Sequence, residues 1–462
     1  MVKGIVSYAA YVPSAALERV KIAEALGGRG VAGARAVASF DEDPITMAVA
    51  AVRALSVREN DGDPVYFATS SPPFFDKTNA NIVKAAVGGD EWIMTVDLGG
   101  LRSGFAALST AASTGGLAVM GDQWSGRPGS ADELDGGDGA AAFVFGESDN
   151  PLATVLATTS VSMELMDVWR LPGADHPQVW EERFSQHVLT KAIREVVNQI
   201  GKDSDFTEAP TKTLIATPNR RFAASSAASI GSSGEDNVLS DHRHNIGYCG
   251  AADVGVLLAQ ALDTSRAGDT ILVVSAAGSV DAMLLRVLQD GPGSSAWVSG
   301  LRERREISYT DYLTWRGLLE REPTRRPERA GVSAPPAARN AHWKFQLEGG
   351  KCTSCGKVYL PAERVCGGCG ATDSFEPYSV SERIGEVAAI STDTVSDTPA
   401  PPAIAAMIDF DGGGRLMMEI AESTPDGTAV GDRVEVVFRR TYQVRGIPNY
   451  FWKARPVKGT AR

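Results

Sequence analysis

Hydrophobic positions in the first 300 residues alternate between short β-branched runs and longer Ala-rich stretches with helical spacing. The short apolar runs predict buried strands, and the Ala-rich stretches predict helices that cover a central sheet. The predicted strands are Gly4–Val12, Val65–Thr69, Ile93–Asp97, Ala140–Gly146, Thr213–Thr217, Thr270–Ser275 and Asp281–Val287, and the predicted helices are His176–Ile200 and Ala251–Leu262. The pattern occurs twice, which predicts an α/β body made of two similar halves.

The pattern changes after this body. The segment EPTRRPERAGVSAPPAARN is rich in proline and charge, which is typical of an extended linker. Beyond Ile384, β-rich runs are separated by turn sequences such as DFDGGGR without an intervening helix, which predicts a small all-β barrel. The predicted domains are a body at 1–321, a linker at 322–345, a small segment at 346–378 and a β-barrel at 379–462.

Charge and hydropathy exclude two classes of partner. The net charge of −12 opposes binding to a nucleic-acid backbone and offers no attraction to anionic lipids. No segment reaches the roughly 20 apolar residues of a membrane span, and the N-terminus lacks the apolar core of a signal peptide. We therefore expect a cytoplasmic protein that binds neither nucleic acid nor membrane.

Four of the five cysteines form two Cys-x-x-Cys pairs. They are Cys352, Cys355, Cys366 and Cys369, and ten residues separate the pairs. Four thiolates suit tetrahedral Zn²⁺ and close its coordination shell, so the ion is expected to be structural. Reduced thiols, or iron in a rubredoxin-like site, are the alternatives for this zinc ribbon.

Several segments of the body carry a family resemblance. They are DEDPITMAVAAVRAL, DKTNANIVKAAVGG, VDLGGLRSGFAAL, GDQWSGRPGSADELDGGDGAAAFVFG, IGYCGAADVGVLLAQALD and GDTILVVSAAGS. In this order they resemble the 3-hydroxy-3-methylglutaryl-CoA synthase branch of the thiolase superfamily. The resemblance implies a duplicated five-layer αβαβα fold, a homodimer and a coenzyme A thioester as substrate. The C-terminal segment resembles the zinc-ribbon and OB-fold proteins that accompany such enzymes.

The catalytic positions of that family carry other residues in this chain. The nucleophilic cysteine aligns with Leu101 or, with a one-residue gap, with Arg102. The general acid glutamate aligns with Ser70, the histidine with Ala216 and the asparagine with Tyr248. None of these side chains can replace the cysteine as nucleophile, so the usual acyl-cysteine route is not expected.

Tyr248 is the replacement with the most useful chemistry. A phenol can donate a proton to a thioester oxygen or, if its pKa is lowered from about 10, accept one from a β-hydroxyl. The resemblance implies that the Gly278-Ser279 turn retains backbone amides that stabilise an enolate. The predicted catalytic residues are therefore Tyr248, Gly278 and Ser279, with a buried structural tyrosine as the alternative.

Other residues near these motifs have simpler interpretations. Cys249 is expected to be a small buried hydrophobe rather than a relocated nucleophile, and His242 and His244 are expected on a surface loop. The linker residues Arg325, Arg326 and Arg329 are interpreted as a solvated tether, with phosphates of coenzyme A as the alternative ligand. The aromatic and basic run RRTYQVRGIPNYFWKARP is typical of single-strand nucleic-acid binding, but the acidic chain favours docking onto a thiolase and channelling of the acyl-CoA.

Two functional hypotheses follow from the sequence. In the first, the protein is an acyl-CoA enzyme of carbon–carbon bond chemistry, a retro-aldolase or an acyltransferase-like lyase, that needs no organic cofactor beyond coenzyme A. In the second, it is a catalytically silent scaffold that binds acyl-CoA and assembles with a separate thiolase through its zinc-ribbon and OB-fold domain.

Overall fold

The computed structural model describes residues 1–28, 30–57, 63–89, 92–204, 206, 208–232, 239–292, 301, 304–322, 330–331, 333–396, 398–424 and 427–457. The chain divides into two compact units. The first comprises Met1–Ala38, Asp43–Asn81 and Gly89–Tyr312, and the second comprises Ser39–Glu42, Ile82–Gly88 and Leu313–Arg462. No helix among the described residues is long and apolar enough to cross a membrane.

Residues 1–315 alternate strands and helices. The strands are β1 Val2–Tyr11, β2 Ala15–Glu18, β3 Ala34–Ala36, β4 Val65–Thr69, β5 Thr95–Gly99, β6 Gly116–Gln123, β7 Asp138–Ser148, β8 Ala153–Val161, β9 Val168–Trp169, β10 Gln178–Val179, β11 Lys212–Ala216, β12 Thr270–Ala276, β13 Val280–Val287 and β14 Arg305–Glu306. The helices are α1 Arg19–Leu26, α2 Pro44–Arg53, α3 Ala80–Val87, α4 Ser103–Thr114, α5 Ala131–Asp135, α6 Glu182–Asp203, α7 Arg220–Ser229, α8 Leu239–Asn245, α9 Asp253–Asp263 and α10 Tyr309–Trp315. All seven strands and both helices predicted in this part of the sequence are present, with shifted ends.

Nine strands form one sheet in the order β11-β12-β13-β8-β1-β7-β6-β4-β5. The sheet has two halves, and they meet where Ile5 of β1 pairs with Ala153 of β8. In one half β4 pairs in parallel with both β5 and β6, and in the other β11 pairs in parallel with β12. The carboxyl ends of these strands form the edge at which α/β proteins usually carry their functional residues.

The helices that cover the sheet begin with defined local signals. In α2, the Asp43 side chain accepts a hydrogen bond from the Thr46 amide and the Thr46 hydroxyl accepts one from the Asp43 amide, while Pro44 takes the first helical position. This reciprocal capping satisfies amides that the helix leaves without partners. All eleven residues of α9 are buried, which is expected of a helix in the middle of a layered fold rather than one on its surface.

The second unit contains a three-stranded ribbon and a five-stranded sheet. Its strands are β15 Glu348–Cys352, β16 Val358–Tyr359, β17 Phe375–Ser379, β18 Gly385–Asp393, β19 Ala403–Phe410, β20 Arg415–Glu419, β21 Arg433–Val444 and β22 Ile447–Pro456. Two short helices are present where an extended linker was predicted at 322–345: α11 Ala334–Arg339 lies within it, and α12 Ala341–Gln346 ends one residue beyond it. The larger sheet has the order β20-β19-β18-β21-β22, and a bridge from Ile420 to Ala454 closes it into a barrel.

A buried network of charges lies inside the second unit. Arg439 of β21 lies 3.2 Å from Glu42 and 2.5 Å from Glu422, and Lys453 of β22 lies 3.0 Å from Asp41. Burial alone would raise the pKa of Asp41, but Lys453 and Arg439 outweigh burial and hold this pKa below its ordinary value. The segment Ser39–Glu42 thus supplies two of the carboxylates that compensate buried cations of the barrel.

Candidate functional site

The residues aligned with the family's catalytic positions lie at or just after strand ends of the first unit. Ser70 follows β4, Leu101 lies two residues after β5, and Ala216 is the last residue of β11. These strands run in parallel within their halves of the sheet, so their carboxyl ends carry successive functional positions. Helices α4 and α9 begin beside this edge, and Gly104 of α4 shows how closely they pack: a Cβ there would lie 1.9 Å from the Ala251 carbonyl oxygen.

The nucleophile position is filled by side chains without nucleophilic chemistry. Leu101 is half-buried, and Arg102 caps the start of α4. The Arg102 guanidinium binds the buried Asp281 carboxylate through two hydrogen bonds of 2.6 and 2.7 Å. The hydrogen bonds to Asp281 raise the pKa of Arg102, so the ion pair is permanent at physiological pH.

Tyr248 is buried at this edge, with 3% of its surface exposed. Its amide donates to the Asp135 carbonyl at 2.8 Å, and its carbonyl accepts from the Gly137 amide at 2.9 Å. The Trp124 ring packs against the Tyr248 ring in a T-shaped arrangement, with 5.0 Å between the ring centroids. Within the described part of the chain the Tyr248 hydroxyl has no hydrogen-bond partner, which leaves it available to a ligand.

Electrostatics decide which proton-transfer role Tyr248 can take. Burial raises the pKa of its phenol well above 10, and the carboxylates of Asp253, Asp122 and Asp167 raise it further, while Arg243 lowers it. The phenol is therefore neutral at physiological pH. The sequence left open a role as base through a lowered pKa; the structure favours the role of donor or general acid.

The Gly278-Ser279 turn is held by a neighbouring segment. Gly278 has φ +67°, and its amide donates to the Asp167 carboxylate at 2.7 Å. The Ser279 hydroxyl donates to the Met163 carbonyl at 3.3 Å and accepts from the Met163 amide at 3.2 Å. An enolate oxygen would therefore have to displace Asp167 before it could bind the Gly278 amide.

Asp122 is a site residue that the sequence analysis missed. Its buried carboxylate accepts hydrogen bonds from the Ser70 hydroxyl at 2.5 Å, from the Ser71 hydroxyl and from the Ala251 amide at 2.7 Å. Burial raises its pKa. An aspartate at the end of the apolar run of β6 was the available signal, and the carboxylate lies beside Ser70, which aligns with the family's general acid.

Four residues around the start of α9 form a second buried network. His242 Nε2 lies 3.0 Å from Asp253 Oδ1, Arg243 Nη2 donates to Asp253 Oδ2 at 2.8 Å, and the Cys249 amide donates to Asp253 Oδ1 at 3.1 Å. Burial raises the pKa of the Cys249 thiol well above 9, so the thiol stays protonated, in keeping with its predicted role as a hydrophobe. His244 is exposed as expected, but His242 is 1% exposed and belongs to this network rather than to a surface loop.

Ligand atoms of His242, Cys249 and Asp253 lie within 4.8 Å of one another. This spacing alone is compatible with a metal ion. The Asp253 carboxylate, however, already accepts three hydrogen bonds, one of them from a guanidinium that compensates its charge. The position of the Asp253 carboxylate is therefore explained by these hydrogen bonds.

The four cysteines of the second unit converge as their spacing predicts. Their sulfur atoms lie within 4.8 Å of one another, with 3.7 Å between Cys352 and Cys369 and 3.5 Å between Cys355 and Cys366. Sulfur atoms about 2.3 Å from a central ion in a tetrahedron have separations close to these, whereas a disulfide requires about 2.05 Å. The cluster has the geometry of a closed four-thiolate metal site.

Two of the aromatic residues considered for nucleic-acid binding are part of the barrel core. Tyr450 and Trp452 are 2% and 1% exposed, and both pack against Phe438. The basic residue beside them, Lys453, is buried and ion-paired with Asp41 and Glu419. The linker residues Arg325, Arg326 and Arg329 lie outside the described residues.

Comparison with known proteins finds two kinds of relative for this chain. Residues 345–376 match the family "ChsH2, rubredoxin-like zinc ribbon domain", and residues 379–439 match "ChsH2, C-terminal OB-fold domain". The chain is 30% identical to the hydroxymethylglutaryl-CoA synthase of Methanobrevibacter smithii over 350 residues, which cover 69% of this chain and 99% of that relative. It is also 30% identical to the enzyme of the same name from Methanothermobacter thermautotrophicus, covering 68% of this chain and 99% of the relative.

Solved structures agree with the fold. An HMG-CoA synthase complexed with CoA superimposes with a TM-score of 0.60 at 20% identity, covering 68% of this chain and 89% of that one. MvaS in complex with 3-hydroxy-3-methylglutaryl coenzyme A gives 0.58 at 17% identity, covering 72% and 94%. The 3-oxoacyl-[acyl-carrier-protein] synthase III of Aquifex aeolicus gives 0.53 at 20% identity, covering 62% and 99%. The thiolase-like α/β fold, the zinc ribbon and the OB-fold barrel predicted from the sequence are confirmed.

Proposed function

Because the chain belongs to the hydroxymethylglutaryl-CoA synthase family of the thiolase superfamily, we propose that it cleaves a carbon–carbon bond in a 3-hydroxyacyl-CoA thioester without forming an acyl-cysteine. The observation that carries this proposal is that other residues replace the family's catalytic residues. Arg102, which is paired with Asp281, lies at the nucleophile position, and the neutral phenol of Tyr248 lies where the family has an asparagine. Bound CoA and HMG-CoA in two structural relatives support a CoA thioester as the substrate.

A retro-aldol reaction needs no nucleophile from the protein. The bond between Cα and Cβ breaks, its electron pair moves toward the thioester, and Cα takes the proton of Tyr248. The phenolate left behind then takes the proton of the 3-hydroxyl, which becomes the carbonyl of the released aldehyde or ketone, and the phenol is restored. The products are an aldehyde or ketone and a shortened acyl-CoA, and the overall count of atoms and protons is unchanged.

The test is Tyr248→Phe in the full chain. We expect cleavage of a panel of 3-hydroxyacyl-CoA thioesters by the wild type, and a loss of about 100-fold or more in kcat on removal of the hydroxyl. Tyr66→Phe is the matched control, since Tyr66 is also a buried tyrosine of this unit but its hydroxyl bonds Thr114. Equal cleavage by wild type and Tyr248→Phe would remove Tyr248 from the mechanism.

A silent scaffold is the second candidate function, and a separate observation favours it. Arg102 fills the nucleophile position, and the Asp167 carboxylate occupies the Gly278 amide that would face an enolate. A protein built this way would bind an acyl-CoA and assemble with a separate thiolase through its second unit. Calorimetric binding of coenzyme A together with no cleavage of any thioester in the panel would favour this function over the first.

Two further assignments complete the proposal. We assign structural Zn²⁺ to Cys352, Cys355, Cys366 and Cys369, since four thiolates leave no open coordination position.

We also assign a homodimer in the cytoplasm. Strand β5 is an edge of the nine-stranded sheet with partly exposed side chains, and Trp92 and Met94 just before it are 93% and 58% exposed, as suits pairing with a second copy.

A further inference from the structure

The Tyr248 ring contacts both a buried cation and a second aromatic ring. The guanidinium carbon of Arg243 lies over one face of the ring, 4.8 Å from its centroid. The Trp124 ring packs against the same ring, with an angle of 85° between the two planes. Arg243 is 2% exposed, so this cation acts on the ring from inside the protein, where water screens it little.

Arg243 is itself held at several points. Its Nη2 donates to the Thr217 carbonyl at 2.7 Å and to Asp253 Oδ2 at 2.8 Å. Its own carbonyl accepts a hydrogen bond from Arg19 Nη2 at 2.5 Å. The guanidinium therefore cannot swing away from the ring without leaving the buried Asp253 carboxylate without its charged partner.

The charges around Tyr248 show what Arg243 contributes. The carboxylates are Asp253 at the start of α9, Asp122 at the end of β6 and Asp167 just before β9, and each raises the pKa of the phenol, as burial does. Arg243 on α8 is the group that acts in the opposite sense. The neighbouring Cys249 thiol is protonated and adds no charge.

We propose that Arg243 is a positioning residue that fixes the Tyr248 ring and stabilises the phenolate formed when Tyr248 gives up its proton. The inference rests on the proposed function, in which Tyr248 is the proton donor. A phenolate formed among three carboxylates in a buried site needs a compensating cation, and Arg243 is already in place for it. The hydrogen bonds of His242 and Arg243 to Asp253 join α8 to α9 and thereby hold Arg243 in place.

The experiment places a fluorotyrosine at position 248 of the full chain and follows its ionisation by ¹⁹F NMR as a function of pH. Fluorination makes the phenol more acidic and brings its titration within reach. We expect Arg243→Met to raise the pKa of this phenol by one unit or more, a tenfold loss in acid dissociation, and Arg243→Lys to keep most of the wild-type value. A purely structural role of Arg243 would leave the titration unchanged.

Arg439→Met is the control, because Arg439 is also a buried arginine, 1% exposed and paired with Glu42 and Glu422, but it belongs to the second unit. It should leave the titration at position 248 unchanged. If Arg243→Met does not fold, Arg243→Gln provides the same comparison with a polar neutral side chain. An unchanged titration in a folded Arg243 variant overturns the inference.

An activity assay separates this inference from the proposed function. If the wild type cleaves a 3-hydroxyacyl-CoA, Arg243→Met should lower kcat at least tenfold with little change in KM. Cleavage that persists in Arg243→Met at the wild-type kcat refutes the role of Arg243 and leaves the proposed function standing. No cleavage by the wild type, with the titration shifted as expected, refutes the proposed function while the action of Arg243 on the phenol stands.

Discussion

The zinc ribbon and the site around Tyr248 differ in how far apart in the sequence their functional residues lie. All four sulfur ligands of the ribbon come from residues 352–369, and they converge within one small segment. Around Tyr248 the relevant groups are Trp124, Asp167, Arg243 and Asp253, which are separated by more than 120 residues. A local site can be read from spacing alone, whereas a dispersed site depends on the sheet that brings its parts together.

The largest expected effect is on the local site. Cys366→Ser removes one of four thiolates, and the binding free energy of structural zinc in small domains is on the order of 10 kcal/mol or more, so the ribbon should lose both its metal and its fold. Metal analysis of the full chain should give one zinc per chain in the wild type and a large loss in the variant. Hydrogen exchange should show lost protection in β15–β17 and unchanged protection in the first unit.

Cys249→Ser is the control for this experiment. Cys249 is a buried free cysteine of the first unit and lies outside the ribbon. We expect this variant to keep one zinc per chain. Retention of zinc by Cys366→Ser would mean that the fourth thiolate is dispensable, and the ribbon would then lack the closed shell on which the comparison depends.

The second unit also contains a site whose residues are far apart in the sequence, the buried ion pairs of Arg439. It tests whether the comparison between local and dispersed sites holds inside one unit. Arg439 is 1% exposed and bound to Glu42 and Glu422, so Arg439→Met leaves two buried carboxylates without this cation. Loss of one partner of a buried ion pair costs about 3 to 5 kcal/mol. Urea unfolding of the second unit, followed by hydrogen exchange in β21 and β22, should show a destabilisation of this size.

The exposed pair of Arg364 and Asp373 supplies the matched control. Their side chains are 83% and 55% exposed, and their nearest atoms lie 2.7 Å apart, close to the separations in the buried network. Arg364→Met should leave stability essentially unchanged, because exposed ion pairs contribute little. Equal effects of the two substitutions would show that burial does not determine the strength of these pairs.

The sequence predicted those features that local pattern controls. The ribbon ligands, the barrel strands and the strands of the first unit with strongly apolar runs were all found, because spacing and periodicity are properties of short segments. Within the nine-stranded sheet, β6 and β8 were missed: β6 contains two glycines, and β8 carries four threonine and serine residues on a partly exposed strand. The short strands β2, β3, β9, β10 and β14 were not predicted either. The helix α11 was missed because its two prolines dominate the local signal, and α12 was missed because six residues are too few for a helical period to show.

The environment of the strand-end residues could not be predicted in the same way. The sequence identified Tyr248 through the family resemblance, but the raised pKa of its phenol depends on burial and on three carboxylates, two of which, Asp122 and Asp167, are far from it in the sequence. Similarly, nothing local distinguishes His242, which is buried against Asp253, from His244, which is exposed two residues later. These properties arise from tertiary packing and therefore required the structure.

The smallest expected effect tests whether Asp122 shapes the turn that follows Tyr248. Gly250 has φ +54°, and a Cβ there would lie 2.2 Å from Asp122 Oδ2. Gly250→Ala therefore combines backbone strain with displacement of a carboxylate that holds Ser70 and Ala251, and we expect a loss of about 1 to 3 kcal/mol in the free energy of unfolding of the first unit. Urea unfolding followed by tryptophan fluorescence measures it.

Gly268→Ala separates the two contributions to this effect. Gly268 has φ +95°, and a Cβ there would meet no atom within 4 Å, so this substitution carries the strain without the collision. We expect it to cost about 1 kcal/mol, less than Gly250→Ala. Equal losses would mean that the Asp122 carboxylate yields freely, and the dispersed site would then be held by its strands and helices rather than by its side-chain network.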